Sequence, residues 1–199
     1  GFKKILRQSM ELGRSFIREE YQRKPLPLFL LWKGILYFLI KNSEYRYLIG
    51  PVSISNRFSE FSRSMIINYI RKNYYNKELA RHIRPRTRYN VPGYNIDEDI
   101  ILESADNLQK FDHFIDDVET SGYKMPVLLK RYLKLNGRII SFNVDPKFNN
   151  ALDGLLILDL FDVPVETIAS LSKELNDQTI LERFEVGKLV RGHFYREDS

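Results

Sequence analysis

Apolar and polar positions change period several times along the chain, and each change predicts an element. From Met10 to Ile17 (Met-Glu-Leu-Gly-Arg-Ser-Phe-Ile) they alternate as in a strand, with Glu11, Gly13 and Ser15 on one face and Leu12, Arg14 and Phe16 on the other. Gly13 interrupts this strand. A glycine there marks a bulge or a close backbone approach to a ligand, and a bulge would turn Glu11 or Arg14 into a pocket. Upstream, Gly1-Phe2-Lys3-Lys4 leads in through a strand-like segment. Pro25 and Pro27 then set the first turn of a helix running from Leu28 to Lys41, because proline is tolerated there and no deeper. Leu28, Leu31, Trp32, Ile35, Leu36 and Leu39 lie on nearly every side of that helix, which predicts burial under a sheet; an interfacial helix is the alternative.

Tyr45 to Ile54 reads as a second strand, with Gly50-Pro51 bending or ending its pairing midway. Ser55 or Asn56 offers a cap for a helix from about Glu60 to Asn73 that turns Phe61, Met65, Ile66, Tyr69 and Ile70 inward. Arg81-His82-Ile83-Arg84-Pro85-Arg86-Thr87-Arg88 reads as a basic loop, either solvated or anion-binding, since arginines grip phosphate and carboxylate bidentately. Two helices are expected beyond it, Ser104 to Glu119 and Val127 to Leu135, with Gly122 and Gly137 punctuating their ends. Arg138 to Val144 and Gly154 to Leu160 read as strands joined through a turn at Asp145-Pro146. An amphipathic helix from Pro164 to Leu175 follows, then a charged tail without a clear period that is expected to fray. The alternation of strands and helices predicts an α/β (α+β) layer fold.

Composition narrows the chemistry. With 199 residues, the chain suits one domain with a substantial core, and thirteen Phe and twelve Tyr give it ample surface to bury. The absence of cysteine excludes disulfides, thiolate metal sites and a Cys nucleophile. His82, His113 and His193 have no metal-binding spacing, so no metal site is expected and each reads as a surface or packing residue. The net charge of +5 suits an acidic protein partner, an anionic membrane or nucleic acid. The apolar run from Pro25 to Ile40 falls short of the ~20 residues a spanning helix needs and carries Lys33. No signal peptide is visible, and the abrupt start suggests a piece of a longer protein.

The sequence has no GxSxG elbow, Walker loop or strict GxGxxG. Its candidate chemistry sits beside strand breaks: Glu11, Arg14 and Ser15 early, and Asn143, Asp145 and Asp153 around the late turn. Amine acylation needs a base for the ammonium proton and donors for the thioester oxyanion. Glu11 can serve as the base, directly or through water, and amides freed at Gly13 can polarise the carbonyl. Arg14 reads equally as a structural ion-pair partner, and Asn143 and Asp145 equally as turn caps.

Three early blocks, Glu11-Leu12-Gly13-Arg14-Ser15, Leu31-Trp32-Lys33-Gly34-Ile35 and Gly50-Pro51-Val52-Ser53-Ile54-Ser55, resemble a known family. They are joined by Pro126-Val127-Leu128-Leu129-Lys130-Arg131-Tyr132-Leu133 and by Phe142-Asn143-Val144-Asp145-Pro146-Lys147-Phe148, leading to Leu152-Asp153-Gly154-Leu155. Together they are similar to the acyl-carrier-protein-dependent N-acyltransferases of ornithine-lipid and glycine-lipid synthesis, often labelled hemolysins, within the GNAT acyltransferase superfamily. The resemblance extends over about residues 2 to 185 and is strongest to the Bacteroidetes form, which implies a lysophospholipid acyltransferase domain ahead of this one.

That resemblance implies a GNAT-like central mixed sheet flanked by helices, as one acyltransferase domain over residues 1–199. It implies transfer of a 3-hydroxy fatty acyl group from acyl carrier protein to the amine of a small amino acid, glycine or ornithine. Glu11, Arg14 and Ser15 would be catalytic. Gly13, Arg23, Lys24, Arg84 and Arg86 would bind the donor, and Asn143, Asp145 and Asp153 the acceptor. No bound cofactor is expected, the acyl-phosphopantetheine of the carrier protein being the donor substrate. Many GNAT enzymes cradle a coenzyme A pyrophosphate on glycine amides at a helix N-terminus. The matching turn here, Gln22-Arg23-Lys24-Pro25-Leu26-Pro27, lacks those glycines and fits the single phosphodiester of a carrier-protein arm, assisted by Arg23 and Lys24. Arg84, Arg86, Arg88, Lys130 and Arg131 would steer the acidic carrier. The matching strand of a GNAT fold is usually the fourth, which implies earlier strands outside this sequence and an open sheet edge that invites a homodimer. The alternative is a non-enzymatic module whose basic loop docks on an anionic membrane or an acidic protein. As an enzyme, the chain is expected in the cytoplasm or peripherally on the inner face of the membrane.

Overall fold

The structure, a computed structural model, describes residues 2–13, 17–22, 24–94 and 98–194. Helix α1 (Phe2–Arg7) leads into strand β1 (Ser9–Glu11), helix α2 (Pro25–Lys41), strand β2 (Tyr47–Ile54) and helix α3 (Glu60–Asn73). Helices α4 (Lys77–Ala80), α5 (Glu98–Ser104), α6 (Leu108–Val118) and α7 (Val127–Lys134) follow. Strands β3 (Arg138–Asp145) and β4 (Ala151–Asp159) precede helices α8 (Val165–Leu175) and α9 (Thr179–Phe194). The strands form a mixed sheet in the order β1-β2-β4-β3, with β1 parallel to β2 and β3 antiparallel to β4. This is the expected α/β class, consistent with a GNAT-like sheet flanked by helices. By internal contacts the chain divides into two compact units, residues 1–49 with 158–199, and residues 50–157.

In the first unit, Phe2–Arg7 is helical where a strand was expected, and β1 is short. The β1–β2 register runs from Ser9↔Tyr47 to Glu11↔Ile49, and the Leu12 N–H donates to the Ile49 carbonyl at 2.8 Å. The next β2 residue oriented toward the same neighbour is Pro51, which has no N–H to continue a parallel ladder. The strand expected to reach Ile17 therefore stops at Glu11, and Gly13 lies past its end instead of forming a bulge within it. Helix α2 buries Trp32, Leu36, Leu39 and Ile40, while Leu26, Leu30, Tyr37 and Phe38 are exposed on the opposite side. Burial on nearly every side is thus corrected to burial of one face.

Helix α9 packs on α2 and α8, so the tail expected to fray is helical through Phe194. Its inner side is anchored by Ile180 and Phe184, one turn apart, too few positions to produce a visible period. Arg183 between them donates to the carbonyls of Leu39 (2.8 Å), Asn42 (3.1 Å) and Tyr45 (3.2 Å). The last carbonyls of a helix have no partner within it, and this guanidinium supplies one at the end of α2. Arg46 makes a two-pronged ion pair with Asp159, at 2.9 and 2.6 Å.

The second unit is built on α3, whose Met65, Ile66, Ile67, Tyr69 and Ile70 are buried. The Tyr69 ring stacks on Phe111 of α6 at 3.8 Å between centroids. The cap of α3 is Ser59, whose hydroxyl accepts from the Ser62 N–H; of the two residues expected in that role, Ser55 accepts from the Arg57 N–H and Asn56 donates to the Asn149 carbonyl. The helix expected over Ser104 to Glu119 is shorter, running over Leu108–Val118, and a separate helix, α5, ends at Ser104. Asn107 accepts from the N–H groups of Gln109 and Lys110 and starts α6 afresh. Strands β3 and β4 form a hairpin from Arg138↔Ile157 to Asp145↔Ala151, turned through Asn149 and Asn150, both at φ 52°.

Candidate functional site

Glu11 ends β1 with an exposed side chain, at the last paired position of the parallel ladder. Gly13 follows it, 4.0 Å from a Glu11 carboxylate oxygen as measured from the Cβ position a larger residue would occupy. Arg14, Ser15 and Arg23 lie outside the described residues. Lys24 caps α2 from outside, exposed, with its ammonium 5.9 Å from the centre of the Tyr21 ring.

In the second unit, the remaining expected residues converge. Arg84, Arg86, Asn143, Asp145 and Asp153 all line one cavity of about 560 Å³. The pleat explains the grouping. Asn143 on β3 is directly opposite Asp153 on β4, and Ser141 is opposite Leu155, so these pairs share a face of the hairpin. The loop at residues 83–87 forms one wall of the cavity because it is tied to β3: Asn143 Oδ1 accepts from the Thr87 N–H at 2.9 Å, and the Val144 N–H donates to the Thr87 carbonyl at 2.9 Å. Asp145 accepts from the Lys147 N–H at 2.9 Å and so caps the turn, one of the two roles its position allowed. Asp153 accepts from the Ser53 hydroxyl at 2.6 Å.

Sequence reasoning did not select Ser53, Ser141 or Lys147 for this site. Ser53 carries a signal in hindsight: β2 alternates buried and outward positions, and Pro51 and Ser53 both fall on its outward face. Lys130, expected to steer a carrier, pairs with Asp112 at 2.6 Å between α7 and α6. Among the described residues, no group of three or more His, Asp or Glu side chains is placed to hold a metal ion, and no helix is long and apolar enough to cross a membrane.

A strongly shifted carboxylate lies elsewhere in the second unit. Burial alone would raise the pKa of Glu119, but hydrogen bonds from Ser121, Ser62 and Ser59 outweigh it and lower the value from 4.5 to about 2. Glu119 Oε2 accepts from the Ser59 N–H and hydroxyl at 2.9 and 3.0 Å, which places a buried anion at the start of α3, where the helix dipole favours it. Its geometry is structural.

With this arrangement established, sequence comparison supplies a relationship. The chain is similar to glycine N(alpha)-acyltransferase of Bacteroides thetaiotaomicron, 26% identical over 152 residues. It is also 26% identical over 148 residues to the protein of the same name from Phocaeicola vulgatus. The chain is distantly related to acyltransferases. Each match takes in 67% of this chain but 41% and 42% of the relatives, so the chain spans under half their length. No family model and no solved structure matches it.

Proposed function

We propose that the chain is an N-acyltransferase domain that moves a 3-hydroxy fatty acyl group from acyl carrier protein to the amine of a small amino acid, glycine or ornithine, in aminolipid synthesis. The observation that carries this reading is the exposed Glu11 carboxylate at the end of the β1–β2 ladder, within the Glu-Leu-Gly-Arg block that resembles the family's catalytic strand. The names of the two relatives support the reaction class.

In this reading Glu11 takes a proton from the acceptor ammonium. The freed nitrogen attacks the thioester carbonyl carbon, the C–N bond forms, the C–S bond breaks, and the carrier's thiol leaves as the amide is completed. Arg14, Ser15 and the amides around Gly13 stabilise the oxyanion, and Arg23 and Lys24 meet the phosphodiester of the donor arm. Incubation of the chain with 3-hydroxyacyl carrier protein and an amino-acid panel, read by released thiol, is the direct test. Release that depends on glycine or ornithine is expected. Glu11→Gln is expected to lower kcat by about 100-fold or more, with donor KM nearly unchanged. An unchanged kcat would remove Glu11 as the base.

A second reading, docking on an anionic membrane, is favoured by one observation: the exposed Leu26, Leu30, Tyr37 and Phe38 of α2, on a chain of net charge +5. The two readings are compatible, since an acylated amino acid partitions into lipid.

A further inference from the structure

We infer that the cavity beneath the 83–87 loop binds a zwitterionic α-amino acid, with Asp153 facing its ammonium and Arg84 and Arg86 its carboxylate. This inference takes its substrate class from the N-acyltransferase reading, and it moves Arg84 and Arg86 from donor to acceptor recognition. Three observations carry it. The first is juxtaposition: cationic and anionic side chains expected to serve two different substrates line a single cavity.

The second is the balance of charge. Arg84, Arg86 and Lys147 share the cavity with Asp145 and Asp153. A phosphodiester would gain from the cations but be opposed by carboxylates in the same space. A small molecule bearing one charge of each sign engages both sets. Arginine suits the carboxylate end because its planar fork matches two oxygens, and a carboxylate with one Ser53 hydrogen bond retains acceptor capacity for an ammonium.

The third is preorganisation. The loop bearing the arginines is held to β3 through Thr87, Asn143 and Val144, and Asp153 is held by Ser53, so less ordering is left to binding. At about 560 Å³, the cavity has room for an acceptor with a side chain as well as for glycine.

The test is calorimetric binding to the 199-residue chain without any acyl donor. The probes are glycine, ornithine, glycine methyl ester, N-acetylglycine and inorganic phosphate. Glycine or ornithine should bind, and both the ester, which lacks the carboxylate charge, and the acetyl derivative, which lacks the ammonium, should bind about tenfold more weakly or worse. Asp153→Asn, which keeps an acceptor for Ser53, should cost the amino acids about tenfold in affinity while sparing N-acetylglycine. The double variant Arg84→Gln, Arg86→Gln should weaken both. Thermal melts of the variants check that the fold survives. The inference is overturned if the amino acids do not bind, if they bind equally well to all variants, or if phosphate binds in their place and is lost in the double variant. The thiol-release assay separates the two proposals. Amino-acid binding with no acyl transfer leaves the pocket standing and shows that this chain alone does not carry the reaction. Transfer whose acceptor KM ignores Asp153→Asn sinks the pocket and leaves the enzyme.

Discussion

Glu11 and Glu119 carry the same functional group and face opposite circumstances. Glu11 is exposed at a strand end, whereas Glu119 is buried among three serines that hold it ionised. A carboxylate whose folded pKa is depressed adds stability above its ordinary value, so the Glu119 contribution is full above pH 4.5 and is lost as pH falls from there toward about 2. Glu119→Gln is expected to cost about 1.5–3 kcal/mol at pH 7, as charge-assisted hydrogen bonds are lost. It should also flatten the acid limb of stability, as urea melts at several pH values would show; an equally steep acid limb in the variant would assign the effect elsewhere. Nothing in the sequence pointed to the burial of Glu119, because its partner Ser59 lies sixty residues away along the chain. Asp145 shows the same ambiguity in milder form. Its position before Pro146 allowed a turn cap or a ligand, and the Lys147 hydrogen bond establishes the cap.

Among the elements, α3 is formed over Glu60–Asn73 as expected, since its inward residues repeat at the helical period. β1 is shorter than expected because its limit is set by its partner: alternation within residues 10–17 cannot reveal that Pro51 offers no donor. The end of α7 refines the expected role of Gly137. The left-handed position is taken by Asn136 at φ 64°, and Gly137 is required for a different reason: a Cβ there would lie 2.8 Å from the Tyr132 carbonyl oxygen. Gly137→Ala is therefore expected to lower stability by about 1–3 kcal/mol, measurable by chemical denaturation. A neutral result would mean that α7 and β3 can separate locally at little cost.

For the whole molecule, the α/β class followed from the alternation of elements and the mixed sheet from the family resemblance, while the exposed face of α2 followed from neither. If that face meets a membrane, the chain should co-sediment with vesicles containing anionic lipid, less so in high salt. Leu30→Asp with Phe38→Asp should reduce the bound fraction by about tenfold or more, because each replaces exposed apolar surface with a charge that anionic lipid repels. Equal sedimentation of variant and parent chain would sink this surface as the docking face. The experiment is independent of acyl transfer, so either result leaves the enzymatic reading to its own assay.

The sequence by itself determined the fold class, helices α2, α3, α7 and α8 in outline, the two late strands, and the residue types from which a site could be made, because local period and turn chemistry act over a few residues. Tertiary structure decided which of those residues meet. Glu11 stands at the end of the parallel ladder, while Arg84 and Arg86 reach the Asn143 and Asp153 cavity only because Thr87 is bonded to β3. It also decided where the last helix sits, packed on α2 and α8 with Arg183 on the carbonyls that end α2. These are contacts between distant segments, and their energies depend on burial and on partners that no local pattern encodes.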